Sequence, residues 1–221
     1  MLVGYRMTPD PITVAPDLPI AEALEQMRRA DVHRFPVVNK KGQLVGIVTH
    51  QDLLYASPSS VTSLNVWEVT YLLNQVQVKE TMTREVITVE EDCPIEEAAR
   101  VMRDNEIGGL PVMRDGKLVG IITESDVFDV FLELFMAQEA GIRLTVLAPY
   151  FKGSLAQISA AITERGGLIH ALNTFLGEDD DTWGCHLRVA DIGKDELLEV
   201  VEPLVVEVLD VREVKAQGTG C

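Results

Sequence analysis

Two short segments carry residue types from which a nucleoside site can be built: Gly46-Ile47-Val48-Thr49-His50-Gln51-Asp52 and Gly120-Ile121-Ile122-Thr123-Glu124-Ser125-Asp126. In each, a hydroxyl and a carboxylate stand three residues apart, where an apolar run gives way to an expected helix. One reading is structural. The Thr hydroxyl caps the helix and the carboxylate bonds back to its N-terminus, a capping box worth about 1 kcal/mol. The other reading is chemical. A helix N-terminus offers N–H groups and positive potential to a phosphate. A hydroxyl adds a phosphate or ribose contact, and a carboxylate accepts both ribose hydroxyls. Two tandem copies, each with its own preceding glycine and strand, favour the chemical reading.

Other constellations carry less. Cys185 and His186 are adjacent on an expected strand, so their side chains point to opposite faces and cannot share one metal ion. His50 and His170 have no His, Cys or carboxylate partner at useful helical spacing. No GxSxG, P-loop or GxGxxG motif occurs. Met7, Met27, Met82, Met102 and Met113 fall at core-like positions and read as packing. The acidic run Glu178–Asp181 reads as a solvated turn, because it lacks the alternating ligand spacing of a calcium loop. The expectation is no catalytic residue, no metal and no catalytic cofactor.

Composition narrows the partners. The 221 residues include 19 Lys and Arg against 35 Asp and Glu, a formal charge of −16, with 47% hydrophobic and 24% charged residues. Those fractions are ordinary for a globular chain, and the length suffices for a core. A protein that grips nucleic acid needs clustered Lys and Arg, and an anionic membrane surface repels a chain of this charge. A small anion needs only one local basic spot. Cys93, Cys185 and Cys221 are odd in number and lack CxxC spacing, which supports neither a disulfide framework nor a zinc finger. The N-terminus lacks the apolar stretch of a signal peptide, and no run of about 18 uncharged apolar residues is present. The chain reads as soluble and cytoplasmic.

The elements that must position the two segments form an internal repeat. The stretch from Met7 (MTPDPITVAPDLPIAEALEQMRRADVHRFPVV) matches that from Met82 (MTREVITVEEDCPIEEAARVMRDNEIGGLPVM) at an offset of 75 residues, and GQLVGIVTHQD from Gly42 matches GKLVGIITESD from Gly116 at 74. Each copy predicts a strand (12–14, 87–89), then a helix opened by Asp17 or Asp92 with Pro19 or Pro94 in its first turn. Ile20, Ala23, Leu24 and Met27, and likewise Ile95, Ala98, Ala99 and Met102, give each helix one buried face. A hairpin follows (35–38 with 44–48; 110–113 with 118–122, turning at Asp115-Gly116), then a closing helix. The unit is β-α-β-β-α. Between the copies, 56–63 reads as a Ser/Pro-rich loop and 64–73 as a short helix; after the second, 129–140 extends the closing helix.

From Gly141 the pattern predicts strand 142–148, helix 154–165 stopped by Gly166-Gly167, strands 168–175 and 183–189, helix 194–204 and strand 205–214. That is a β-α-β-β-α-β, ferredoxin-like succession. The expected fold class is thus mixed α+β and α/β. The expected divisions are 1–78 (first copy with linker helix), 79–140 (second copy), 141–215 (C-terminal domain) and a frayed tail, 216–221.

The initial MTxxxITV, the middle HRFPVV or GGLPVM and the final GhhTxxD resemble the CBS-domain repeat, and two copies in tandem resemble a Bateman module. The resemblance covers roughly 4–55 and 79–135. It implies two clefts between the paired repeats that hold an adenosine ligand such as AMP, ADP, ATP or S-adenosylmethionine. It places Thr49, Asp52, Thr123 and Asp126 at ribose or phosphate, with Thr8, Thr13, Thr83 and Thr88 as further candidates. The first copy's His33-Arg34 resembles the phosphate-binding His-Arg pair of nucleotide-sensing members, although a solvated surface residue is the commoner fate of an arginine. The second copy has Gly108-Gly109, which carry no charge but let a ligand approach the backbone. Unequal clefts are expected.

The C-terminal segment resembles an ACT domain. Its loop Pro149–Leu155 stands where that family has Asp-x-Pro-Gly-x-Leu; Gly153 and Leu155 match, the Asp and Pro do not. Gly153, Leu155 and Asn173 are the candidate amino-acid site, and the departure favours a dimerisation role. The whole order resembles the AcuB-type acetoin-utilisation proteins. The implied function is a regulatory, non-enzymatic sensor, most simply a homodimer, with adenosine ligand between the CBS repeats and an ACT segment that dimerises or relays. An amino-acid sensor with a CBS scaffold and a ligand-free accessory subunit of an enzyme are the alternatives.

Overall fold

The computed structural model describes residues 1–56, 75–177 and 181–215, and the chain divides into two compact units, Met1–Val127 and Phe128–Cys221. In the first unit, helices α1 (Ile20–Ala30) and α4 (Ile95–Asn105) bury three of each expected stripe, Ile20, Ala23 and Met27 in one and Ile95, Ala98 and Met102 in the other, while Leu24 and Ala99 are half-buried. Each helix opens two residues later than the sequence predicts: Ile20 and Ile95 are the first helical residues, where Asp17 and Asp92 as caps would give Leu18 and Cys93. Pro19 and Pro94 are extended N-cap residues rather than first-turn residues, at ψ 141° and 140°. A proline's fixed φ suits the extended approach as well as the first turn.

The hairpins pair as the apolar runs require. Strand β2 (Arg34–Val38) lies antiparallel to β3 (Leu44–Thr49) with Arg34 opposite Thr49, and β5 (Gly109–Arg114) to β6 (Lys117–Thr123) with Gly109 opposite Thr123. Asp115 and Gly116 both have positive φ, 51° and 73°, as a two-residue turn matched to strand twist needs. Helices α2 (His50–Tyr55) and α5 (Glu124–Leu134) follow β3 and β6 directly. Helix α3 (Val78–Thr81) leads into the second copy.

The copies interleave. Strand β1 (Thr8–Pro9), at the start of the first copy, pairs with β6 of the second, and Thr83, at the start of the second, exchanges two 2.9 Å backbone bonds with Ile47 of β3 in the first. The expected strands at 12–14 and 87–89 shrink to a single parallel bridge, Val14 to Val37, and to β4 (Val89–Glu90), parallel to β5. Val14 and Val89 are buried, whereas Ile12 and Ile87 are 50% and 38% exposed. The expected helix 64–73 and most of the loop 56–63 lie outside the described residues, as do the tail 216–221 and most of the acidic run. The extension of the closing helix is corrected: α5 stops at Leu134, and turns occupy residues up to 139, with Met136 at φ 47°.

The second unit runs β7 (Gly141–Pro149), α6 (Ser154–Glu164), β8 (Leu168–Leu176), β9 (Thr182–Ala190), α7 (Lys194–Val201) with a 3-10 turn Glu202–Leu204, and β10 (Glu207–Val214). The sheet order is β10-β7-β9-β8, antiparallel throughout. Strand alternation sends Ile142, Leu144, Val146, Cys185, Leu187 and Val189 into a core with Ile158 and Ile162 of α6 and Leu197 and Val201 of α7. Burial pushes the Cys185 thiol up to about 11, which suppresses the reactive thiolate.

His186 lies on the opposite face, 4% exposed, with Nδ1 3.2 Å from Thr145 Oγ1 and its ring 5.2 Å from Phe135. Burial, then the charges of Arg143 and Arg188, hold its pKa below the ordinary imidazole value, with Asp210 opposing. Between the unfolded value near 6.5 and the lower folded value, the unfolded chain binds the extra proton. Stability contributed by neutral His186 is therefore complete above about pH 6.5 and is lost as pH falls through that window. Urea midpoints from pH 7.5 to 5 are expected to fall less steeply in His186→Phe than in wild type; equal slopes would refute the assignment.

Candidate functional site

Glycine and methionine make the interleaving possible. A Cβ on Gly46 would stand 2.5 Å from Met82 Sδ, and one on Gly120 2.2 Å from Met7 Sδ. The first residue of each motif is thus bare where the other copy's opening methionine lies against it. Met7 and Met82 are packing residues, but they pack between copies.

This arrangement leaves two clefts in the first unit. The first, about 530 Å³, is walled by Thr49 and Asp52 from one side, by Thr83, Val86 and Ile87 from the other, and by Gly108 and Gly109 beneath. The second, about 370 Å³, is walled by Thr123, Glu124 and Ser125 opposite Thr8, Asp10 and Ile12. His33, Arg34 and Gly108 line both. The volumes lie within the range of small-molecule sites. Ile12 and Ile87, at equivalent places in the two copies, give each cleft an apolar wall suited to a planar base.

The capping reading of GhhTxxD is present in both copies. Asp52 Oδ2 accepts from Thr49 N at 2.8 Å and from Thr49 Oγ1 at 2.7 Å, while Thr49 Oγ1 accepts from Asp52 N at 3.2 Å. Asp126 Oδ2 likewise accepts from Thr123 N and Oγ1, both at 2.7 Å, with the return bond from Asp126 N at 3.4 Å. Each box occupies Oδ2 and leaves Oδ1 without a hydrogen bond among the described residues. A cap built in this way holds the carboxylate rigid and still has one oxygen to offer.

Arg34 sits where the copies meet. A Cβ on Gly109, its counterpart in the second copy, would stand 2.1 Å from Arg34 Nη1, and one on Gly108 2.9 Å from Nη2. The guanidinium therefore lies over the Gly108-Gly109 backbone. The glycine pair makes room for the arginine rather than directly for a ligand. Arg34 is half-buried. Burial pulls its pKa down from the ordinary arginine range, and the charge of Glu124 opposes that. Among the described residues no carboxylate comes within ion-pair distance of it.

The remaining candidates separate. Asp126 stands behind Thr123 and is not on the second cleft's wall. Thr13 opens onto a different hollow beside Asp17, Lys40 and Lys79, and Thr88, exposed, is on neither cleft wall. In the second unit Gly153 has φ 99° at the start of α6, Leu155 packs against the core, and Asn173 Nδ2 donates to the Leu134 carbonyl at 3.1 Å. Sequence reasoning missed His50, which lines the first cleft with its ring 6.2 Å from that of His33, and Glu124, which lines the second. Both directly follow a motif threonine, and that adjacency was the available signal.

Comparison with known proteins bears on the first unit. A family model described as "CBS domain" matches residues 3–59 and 78–133. A CBS domain-containing protein of Dictyostelium discoideum is 33% identical over 135 residues, 61% of this chain and 93% of that one. The CBS domain pair of protein MJ0100, solved with 5′-methylthioadenosine and S-adenosyl-L-methionine, is 32% identical with a TM-score of 0.50, covering 59% of this chain and 95% of that one. A protein of Vibrio cholerae described as an acetoin utilization protein (AcuB) is 30% identical with a TM-score of 0.51, covering 62% of this chain and 95% of that one.

Loss of either cap has a measurable cost. Thr49→Val and Thr123→Val each remove the hydroxyl's bonds at a helix start and are expected to lower stability by about 1 kcal/mol in urea unfolding. A loss of only a few tenths would show that the boxes do not hold these helices.

Proposed function

The chain belongs to the CBS-domain family, and we propose that its first unit senses an adenosine derivative (AMP, ADP, ATP or S-adenosylmethionine) rather than catalysing a reaction. Arg34 carries the reading: one half-buried guanidinium, unpaired with any carboxylate among the described residues, on the floor common to both clefts. The ligands of the MJ0100 domain pair support the adenosine part. The base would stack against Ile87 or Ile12, the ribose would meet Asp52 or Thr123, and the phosphate would reach Arg34. One arginine serves one phosphate at a time, so each module takes one phosphate-bearing ligand tightly. The first cleft, larger and with His50 on its wall, is the proposed phosphate-bearing one.

Ligand acts on such a module by binding one arrangement of the interleaved copies better than another. The C-terminal β-α-β-β-α-β unit is proposed as an ACT-like module that dimerises or passes the change to a regulated partner. Its amino-acid candidates are less suited to binding, since Leu155 serves the core and the Asn173 amide is engaged by a backbone carbonyl.

Calorimetry tests this reading. Wild type is expected to bind AMP with one tight site per chain. Arg34→Ala removes a charge-assisted hydrogen bond worth about 1.5–3 kcal/mol, so the AMP dissociation constant should rise about tenfold or more. Affinity for adenosine should change little. Unchanged AMP affinity and stoichiometry in Arg34→Ala would overturn the assignment.

A further inference from the structure

The second unit carries a charge arrangement that neither cleft uses. On the sheet face away from α6 and α7, strand register sets Arg188 of β9 directly opposite Arg143 of β7, and Arg143 directly opposite Arg212 of β10. Three arginines thus stand in one row across three neighbouring strands, in a chain whose formal charge is −16. Like charges placed directly opposite weaken an antiparallel pair. Among the described residues a single carboxylate answers the row: Asp210 pairs with Arg143 and, at 2.6 Å, with Arg212.

Arg188, at the end of the row, has no such answer. It is 4% exposed, and its Nε and Nη1, both shut off from solvent, have no hydrogen-bond partner among the described residues. Its Cδ lies 3.6 Å from where a Gly141 Cβ would be, so the stem runs along the start of β7. Burial and the charge of Arg143 both pull its pKa below the ordinary arginine range. Guanidinium nevertheless stays protonated in proteins. A buried charge is costly unless paired, and filling the space would need only Met or Leu. The ring of Phe135 beside His186, and that of Phe175 over Gly184, border the same face.

We propose that Arg188, with Arg143 beside it, forms an oxyanion site on the outer face of the C-terminal sheet, taking a carboxylate or phosphate group of a small molecule. The planar guanidinium fork matches two oxygens of either group. Such a group supplies the acceptors that Nε and Nη1 lack and relieves the repulsion between the two arginines. The bordering rings give an organic anion an apolar flank. The site draws only on residues of the second unit, none of which lines either cleft.

The test uses the full chain, titrated with inorganic phosphate or with succinate at ionic strength held constant with chloride. The readouts are melting temperature and the arginine Nε–H resonances. Wild type and Arg34→Ala are expected to show a saturable rise in melting temperature and a shift of the Arg188 Nε–H signal. Arg188→Met should show no saturable rise, and Arg143→Gln about tenfold weaker binding. Response to phosphate alone, or to succinate alone, identifies the source of the oxyanion and supports the site. If Arg188→Met does not fold, Arg143→Gln and the wild-type Nε–H signal decide. Absence of saturation with both anions, or binding unchanged in Arg143→Gln, would overturn the proposal.

Discussion

The first unit depends on each copy holding the opening segment of the other. Thr83 and Ile47 exchange backbone hydrogen bonds, Thr8 pairs with Ile121, and the two opening methionines lie against Gly46 and Gly120. Without that exchange each copy would leave its closing strand with unpaired backbone groups, a costly condition for a buried edge. With it, the motif threonine of one copy faces the opening segment of the other, and two clefts follow as a geometric consequence. The clefts are therefore a property of the pair and of neither copy alone.

A symmetrical pair brings equivalent residues together where the copies meet. Residues 34 and 109 are equivalents, and there they touch. Two arginines at those places would contest one volume and repel. Arg34 over Gly109 resolves the conflict by breaking the symmetry: one copy supplies the charge and the other supplies the absence of a side chain. The inequality between the copies is then a packing requirement as well as a chemical one, and it makes the single guanidinium common to both clefts.

The repeat, the helix faces, the hairpins and the alternation of the C-terminal strands were legible in the sequence because they are local. Periodicity reads Ile20, Ala23 and Met27 directly, and Asp115-Gly116 announces its own turn. Thr49 and Asp52 were legible for the same reason, since a capping box spans three residues. What could not be read was anything settled between copies. Gly108-Gly109, read as a place for a ligand to approach, also receives Arg34, and nothing local announces that. Thr13 and Thr88 looked equivalent to Thr8 and Thr83, yet a few residues of extended chain turn them away from the clefts. The helix extension to residue 140 failed because nothing in its composition marks the stop; Met136 at positive φ is imposed by the turn.

The arginines show how position decides availability in an acidic chain. Most are spent locally. Arg28 and Arg29 bracket Glu25, whose carboxyl they hold near 2, Arg100 lies between Glu97 and Asp104, and Arg114 meets Glu91. Such exposed pairs add little to stability, but each occupies a cation that could otherwise attract an anion. Arg34 and Arg188 differ from these in having no carboxylate partner among the described residues while losing water to burial. A net charge of −16 repels anions at a distance, yet attraction at contact is set by the few charges the fold leaves unpaired. In an acidic chain of this kind a desolvated guanidinium without a carboxylate is where contact attraction for an anion is greatest.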